Sequence, residues 1–185
     1  MRIGISTLTT LVAASSILLI THANADENLE KFHAALSGFE EVGGLNNETG
    51  AIFSGGKATL DLVLNDAAKS INYTLTYSGL SADVLQAHIH LGKRHVPGGV
   101  MVFFCSNVAN PPPGTPPCPA AGGTVSGMWT PASVQALPGQ NVTAGDFDAL
   151  VAALRSDTAY GNIHTVNFKA GEIRGQIHRP DRDSN

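Results

Sequence analysis

His88 and His90 stand two residues apart in Leu85-Gln86-Ala87-His88-Ile89-His90-Leu91-Gly92. Along an extended chain successive side chains point to opposite faces. Leu85, Ala87, Ile89 and Leu91 therefore share one face, and Gln86, His88 and His90 the other. Imidazoles at i and i+2 are neighbours whose ring nitrogens can converge on one ion; the plain alternative is two solvated histidines on a polar face. His164 follows the same pattern in Tyr160-Gly161-Asn162-Ile163-His164-Thr165, where Ile163 opposes Asn162 and His164. His178 ends Glu172-Ile173-Arg174-Gly175-Gln176-Ile177-His178, with Ile173 and Ile177 opposed to Arg174, Gln176 and His178. All four imidazoles thus fall on outward, polar faces of strands with apolar backs. If those strands are adjacent, the four rings form one patch whose donors suit copper or zinc rather than calcium or magnesium, which want oxygen. His95, in the basic, glycine-rich run Lys93-Arg94-His95-Val96-Pro97-Gly98-Gly99, is read as an exposed loop residue that can cap the site. His33 is read as a surface strand residue.

The elements that must carry these rings read as an all-β fold. Residues 57–64 (KATLDLVL) and 70–77 (SINYTLTY) alternate apolar and polar side chains, the signature of half-buried strands. Further strands are expected at 32–37, 84–91, 100–104, 123–129, 161–167 and 172–178, punctuated by Gly and Pro clusters. One short helix is expected after Thr143, read as an N-cap with Asp146 three residues on. Phe147, Leu150, Val151 and Leu154 lie on one face of that helix. About eight short strands with one helix imply a Greek-key β-sandwich or barrel in a single domain.

Composition narrows the function classes. Of the 185 residues 43% are hydrophobic and 14% charged, which excludes a disordered chain and a coiled coil. A formal charge of −4 lacks the basic footprint of a nucleic-acid binder. No Gly-x-Ser-x-Gly, His-Glu-x-x-His or Gly-x-x-x-x-Gly-Lys-Ser/Thr motif is present. Arg2, the apolar run 7–20 and the small residues Ala23 and Ala25 form the three-part pattern of a secretory signal peptide cut after Ala25. The run is too short to span a bilayer, so the expected mature chain is exported, periplasmic or secreted, with no membrane span. Residues 26–31 and 180–185 read as tails around one domain over 32–179. Export favours pairing the two cysteines, Cys105 and Cys118, around a proline-rich surface loop.

Ala87-His88-Ile89-His90-Leu91-Gly92, Gly127-Met128-Trp129, Tyr160-Gly161-Asn162-Ile163-His164-Thr165 and Gly171-Glu172-Ile173-Arg174-Gly175-Gln176-Ile177 resemble the CHRD (chordin-type) domain in order and spacing. The resemblance opens at Ala35-Leu36-Ser37-Gly38-Phe39-Glu40-Glu41-Val42 and spans nearly all of the mature chain. It implies an extracytoplasmic β-sandwich module. The His88-Ile89-His90 strand followed by Asn162-Ile163-His164 is also distantly similar to the copper-ligand layout of Cu/Zn superoxide dismutase. That resemblance implies copper on His88, His90 and His164, a fourth ligand from His178, His95 or water, and an anion-attracting Arg174. The dismutase zinc loop has no counterpart, so a binuclear centre is not expected.

Three functions follow. The first is an exported module that binds copper, or zinc, for buffering, delivery or sensing. It needs neutral imidazoles, so binding is expected to weaken as pH falls through about 6.5. The second is a non-catalytic extracellular interaction module with an unknown protein partner, compatible with the sequons at Asn47, Asn72 and Asn141. The third, a mononuclear copper redox enzyme, is weakened by the missing zinc loop.

Overall fold

The computed structural model describes Met1, residues 29–42 and residues 50–180. The expected signal peptide, the sequon at Asn47 and the final residues 181–185 lie outside the described residues. Among the described residues eight strands are present: β1 (Leu29–Ser37), β2 (Lys57–Asn65), β3 (Ser70–Ser78), β4 (Val84–Leu91), β5 (Gly99–Ser106), β6 (Gly123–Trp129), β7 (Ala159–Thr165) and β8 (Ile173–Gln176). One helix, α1 (Phe147–Arg155), precedes β7.

The strands form one antiparallel sheet in the order β5-β4-β7-β8-β1-β2-β3-β6. The β3–β6 and β4–β7 neighbours require connections across the ends, which gives the expected Greek-key arrangement. The two outermost strands are tied to each other, so the sheet is nearly a closed barrel. Trp129 Nε1–H on β6 donates to the Phe103 carbonyl on β5 at 2.8 Å, and the Tyr73 hydroxyl donates to the Phe104 carbonyl at 2.9 Å. The Tyr73 and Trp129 rings stack at 4.4 Å behind these bonds. Closure matters because an open edge would leave a row of unpaired backbone groups.

Inside lie Leu60, Leu62, Leu64, Ile71, Leu75, Ile89, Phe104, Ile163 and Ile173, all buried. They are the apolar halves of the period-2 pattern, and each is worth roughly 1.5–3 kcal/mol of burial. Strands β2 and β3 keep the strict alternation of a sheet with one wet face. Strand β7 does not: all seven of its residues are buried, on both faces. The expectation that the histidine strands present their polar faces to water is therefore corrected. Residues 92–98, residues 166–172 and the segment around a 3₁₀ turn at Gly38–Glu40 fold over that face and convert it into a second buried layer.

The helix begins later than its expected cap. Asp146, not Thr143, is the N-cap, its carboxylate accepting the Ala149 N–H at 2.9 Å. Leu150 and Leu154 pack into the core from one face of the helix, as the spacing requires. Strands β1 and β5 extend beyond their expected limits and β7 begins two residues earlier, differences that strand-end fraying makes ordinary.

The disulfide joins Cys105 and Cys118. The proline-rich loop it closes is pinned at its base by Asn107. Its side-chain N–H donates to the Val84 and Cys118 carbonyls at 2.9 and 3.1 Å, and its Oδ1 accepts the Cys118 N–H at 3.0 Å. Because Val84 begins β4, the staple and the histidine strand share an anchor. Replacing both cysteines by serine is expected to lower stability by about 3 kcal/mol through the entropy of the opened loop. Chemical denaturation of the two proteins, with and without reductant, measures it.

Candidate metal centre

Register decides which rings meet. Strand β4 lies beside β7, with His90 opposite Tyr160, His88 opposite Asn162 and Gln86 opposite His164. Strand β8 continues the row, with Tyr160 opposite Gln176 and Asn162 opposite Arg174. Period 2 places all of these side chains on the same outer face. His88 and His90 are i, i+2 neighbours with ring centroids 4.6 Å apart, and His164 comes in on the diagonal, 4.6 Å from His88 and 6.4 Å from His90. All three are buried.

Each ring offers one ligand nitrogen, and these atoms all lie within 4.8 Å of one another. Donors around an ion held at about 2.0–2.1 Å stand roughly 3.3–3.6 Å apart, so small side-chain rotations close the group onto a metal. In two of the rings the other nitrogen is already committed. His90 Nδ1 lies 2.8 Å from the Gly98 carbonyl and His164 Nδ1 lies 2.9 Å from the Lys169 carbonyl. A carbonyl can only accept, so both Nδ1 atoms carry the proton and both Nε2 atoms carry the lone pair. Those two Nε2 atoms, together with His88 Nδ1, are buried and have no hydrogen-bond partner. A backbone carbonyl behind an imidazole is the support that orients metal-binding histidines, and His90 and His164 each have one.

Burial also sets the charge. His88 is held well below its usual value by burial and then by its two imidazole neighbours. His90 is lowered to about 4, mainly by burial, against the opposing pull of the Gly98 carbonyl. His164 is lowered by burial too. All three rings are therefore neutral at neutral pH, the form that binds a metal.

The walls are aromatic. Phe103 meets His88 edge-on at 5.2 Å, and Tyr160 stacks on His90 at 4.6 Å with the planes 4° apart. The Arg174 guanidinium sits 3.3 Å over the same Tyr160 ring, and its Nη2 donates to the Lys93 and Val96 carbonyls at 3.0 Å. The Tyr160 hydroxyl accepts the Gly98 N–H at 3.1 Å. Arg174 and Tyr160 thus hold down the loop whose Gly98 carbonyl fixes His90. A β-carbon at Gly98 would collide with the Leu91 carbonyl, so only glycine lets the loop return so close to β4. On the opposite flank the buried Glu172 carboxylate accepts from the Ser54, Ser81 and Thr165 hydroxyls at 2.5, 2.8 and 2.6 Å and from the Ser81 N–H at 2.8 Å. Burial pulls its pKa up, but those bonds outweigh it and the net shift is downward.

The model of one known family, the CHRD domain, matches residues 32–177 of this chain. The chain belongs to the CHRD-domain family. It matched no curated protein and no solved structure. Within this CHRD domain the structure brings together His88, His90 and His164 and leaves two other expected residues apart. His178 forms an isolated bridge with His33 beside β1, two strands away from β4 in the sheet, and its Nδ1 lies 3.1 Å from the Gln176 carbonyl. His95 is exposed at the top of the covering loop, in the left-handed region with φ 61°. Arg174, expected beside the site, is buried and engaged with the loop. Tyr160 was not singled out by its sequence, although it shares the alternation of Asn162 and His164. The carbonyls of Gly98 and Lys169 carry no side-chain signal at all.

The depressed imidazole pKa values make a pH prediction. An unfolded histidine titrates near 6.5, so between that value and about 4 the unfolded chain binds protons that folded His90 refuses. Stability is therefore fully present above pH 6.5 and falls as the pH drops toward 4, by about 3 kcal/mol from His90 alone. Denaturant titrations of metal-free protein between pH 7 and 4.5 are expected to show this slope. His90→Gln is expected to reduce it, and the difference between the two proteins separates His90 from Glu41, whose carboxyl burial pushes up so that its protonation works in the opposite direction.

Proposed function

We propose that this protein is an exported module whose CHRD domain binds a transition metal, most of all copper, to buffer, deliver or sense it. The carrying observation is the set of three buried imidazole nitrogens, His88 Nδ1, His90 Nε2 and His164 Nε2, each without a partner. A buried polar atom left unpaired costs about 1–3 kcal/mol, and one ion would satisfy all three. An all-nitrogen donor set favours copper, then zinc, over hard cations. His178 lies two strands from β4 and His95 is exposed on the covering loop, so the three imidazoles make up the donor set this reading uses. The disulfide suits an oxidising compartment, and no helix among the described residues is long and apolar enough to cross a membrane.

Metal analysis and titration of the purified protein with copper and with zinc test the proposal. Wild type is expected to take up one ion. His88→Ala, His90→Ala and His164→Ala are each expected to weaken binding by roughly 100-fold or more, while His95→Ala and His178→Ala leave it within about threefold. Because burial depresses the imidazole pKa values, retention is expected to persist below the ordinary histidine value of about 6.5 and to fail nearer 4. Absence of uptake, or full uptake by the triple alanine variant, would overturn the reading.

A second reading, an interaction module, draws on Phe39 and Phe53. They are 65% and 94% exposed and meet edge-to-face at 6.3 Å. An exposed aromatic pair of this kind suits contact with another protein. Under that reading a partner's binding is lost in Phe53→Ser and kept in the histidine variants.

A further inference from the structure

Three neutral imidazoles can hold several ions, so the charge of the surroundings decides among them. Among the described residues no aspartate, glutamate or cysteine joins the three rings. The buried acids nearby face other partners. The Glu41 carboxylate accepts the Asn162 side-chain N–H at 2.6 Å and the Val42 N–H at 3.0 Å. Glu172 is saturated by Ser54, Ser81 and Thr165. Glu40 pairs with Arg94 on the surface at 2.6 Å.

A positive charge is built against the wall of the triad. The Arg174 guanidinium lies 3.3 Å over Tyr160, and Tyr160 in turn stacks on His90, so a single aromatic ring separates the cation from a ligand. At that separation the guanidinium blocks one face of Tyr160 and His90 takes the other. Arg174 is 2% exposed, and its Nη2 bonds run to the Lys93 and Val96 carbonyls, while the Glu41 carboxylate acts on it only through space. Its Nη1 is buried without a partner. An ion in the triad therefore leaves water, receives no anionic ligand from the protein and meets a buried cation.

Both costs rise with the charge of the ion. The Born penalty scales with its square, so a divalent ion pays about four times what a monovalent one does, and repulsion from Arg174 doubles. Copper has an accessible monovalent state and zinc does not. From this we propose that the triad is a cuprous site: His88, His90 and His164 hold Cu(I) in a dry pocket with no anionic ligand, and Arg174 discriminates against Cu(II) and Zn(II). The proposal rests on the copper reading above and names the oxidation state that reading leaves open.

Competition titrations separate the two. The full-length protein is titrated anaerobically with a cuprous–acetonitrile complex against a chromophoric Cu(I) chelator. It is then titrated aerobically with Cu(II) and with Zn(II) against chelators of known affinity, with electron paramagnetic resonance of the Cu(II) sample. Cu(I) is expected to bind at least about 100-fold more tightly than Cu(II) or Zn(II). Cu(II) or Zn(II) binding as tightly as Cu(I) would overturn the cuprous assignment while leaving the metal site standing; failure of all three ions would overturn both. Arg174→Met is expected to narrow the Cu(I)-to-Cu(II) ratio at least tenfold, and Arg174→Lys, which keeps the charge, to preserve it. Equal narrowing in both variants would assign the discrimination to the covering loop and overturn the role given to the arginine charge.

Discussion

An imidazole removed from water keeps one N–H and one lone pair, and both demand partners. The outer face of β4, β7 and β8 carries three such rings, and the loops that cover it supply carbonyls for two of the N–H groups but nothing for the inward-facing nitrogens. A surface strand would leave those atoms to solvent. Covering the face with residues 92–98 and 166–172 commits them to one another and to whatever they bind. The loops, more than the barrel, make the histidines a site.

The covering is itself held by groups that look unrelated to metal chemistry. Arg174 and Tyr160 fasten the first loop through the Lys93, Val96 and Gly98 backbone, and Gln176 adds bonds to the Gly92 and Asp157 carbonyls at 3.1 and 2.9 Å. Glu172 fastens the opposite flank by gathering Ser54, Ser81 and Thr165. Asn162 sits between them, donating to Glu41 and to the Ile173 carbonyl at 2.6 and 3.0 Å. At Gly171, with φ 136°, a β-carbon would strike Glu41 and Asn162, so the chain there must be glycine for this packing to close. Buried Glu172 and Arg174 are held by hydrogen bonds to hydroxyls and carbonyls, which suits a pocket where a free carboxylate would become a ligand.

Much of the fold was legible because strand burial has a period of two. The alternation in Lys57–Asn65 and Ser70–Ser78, the paired cysteines and the single apolar-striped helix all appear as expected. The errors share a cause. Outward was equated with wet, yet Asn162, His164 and Arg174 point away from the barrel core and are still buried. Polar spacing along a strand reports which face a residue takes, and says nothing of what another segment later lays over that face.

By itself the sequence determined that His88 and His90 share a strand face, because i and i+2 in an extended chain always do. It also carried the family, in motifs that run in order along nearly the whole domain. Only the tertiary structure decided that His164 joins them and His178 does not, because strand order and register are settled by long-range pairing. The same pairing placed Tyr160 and Arg174 behind His90 and brought backbone carbonyls against two of the rings. Those contacts set the tautomer, the charge and the dryness of the group, and the identity of the residues alone encodes none of the three.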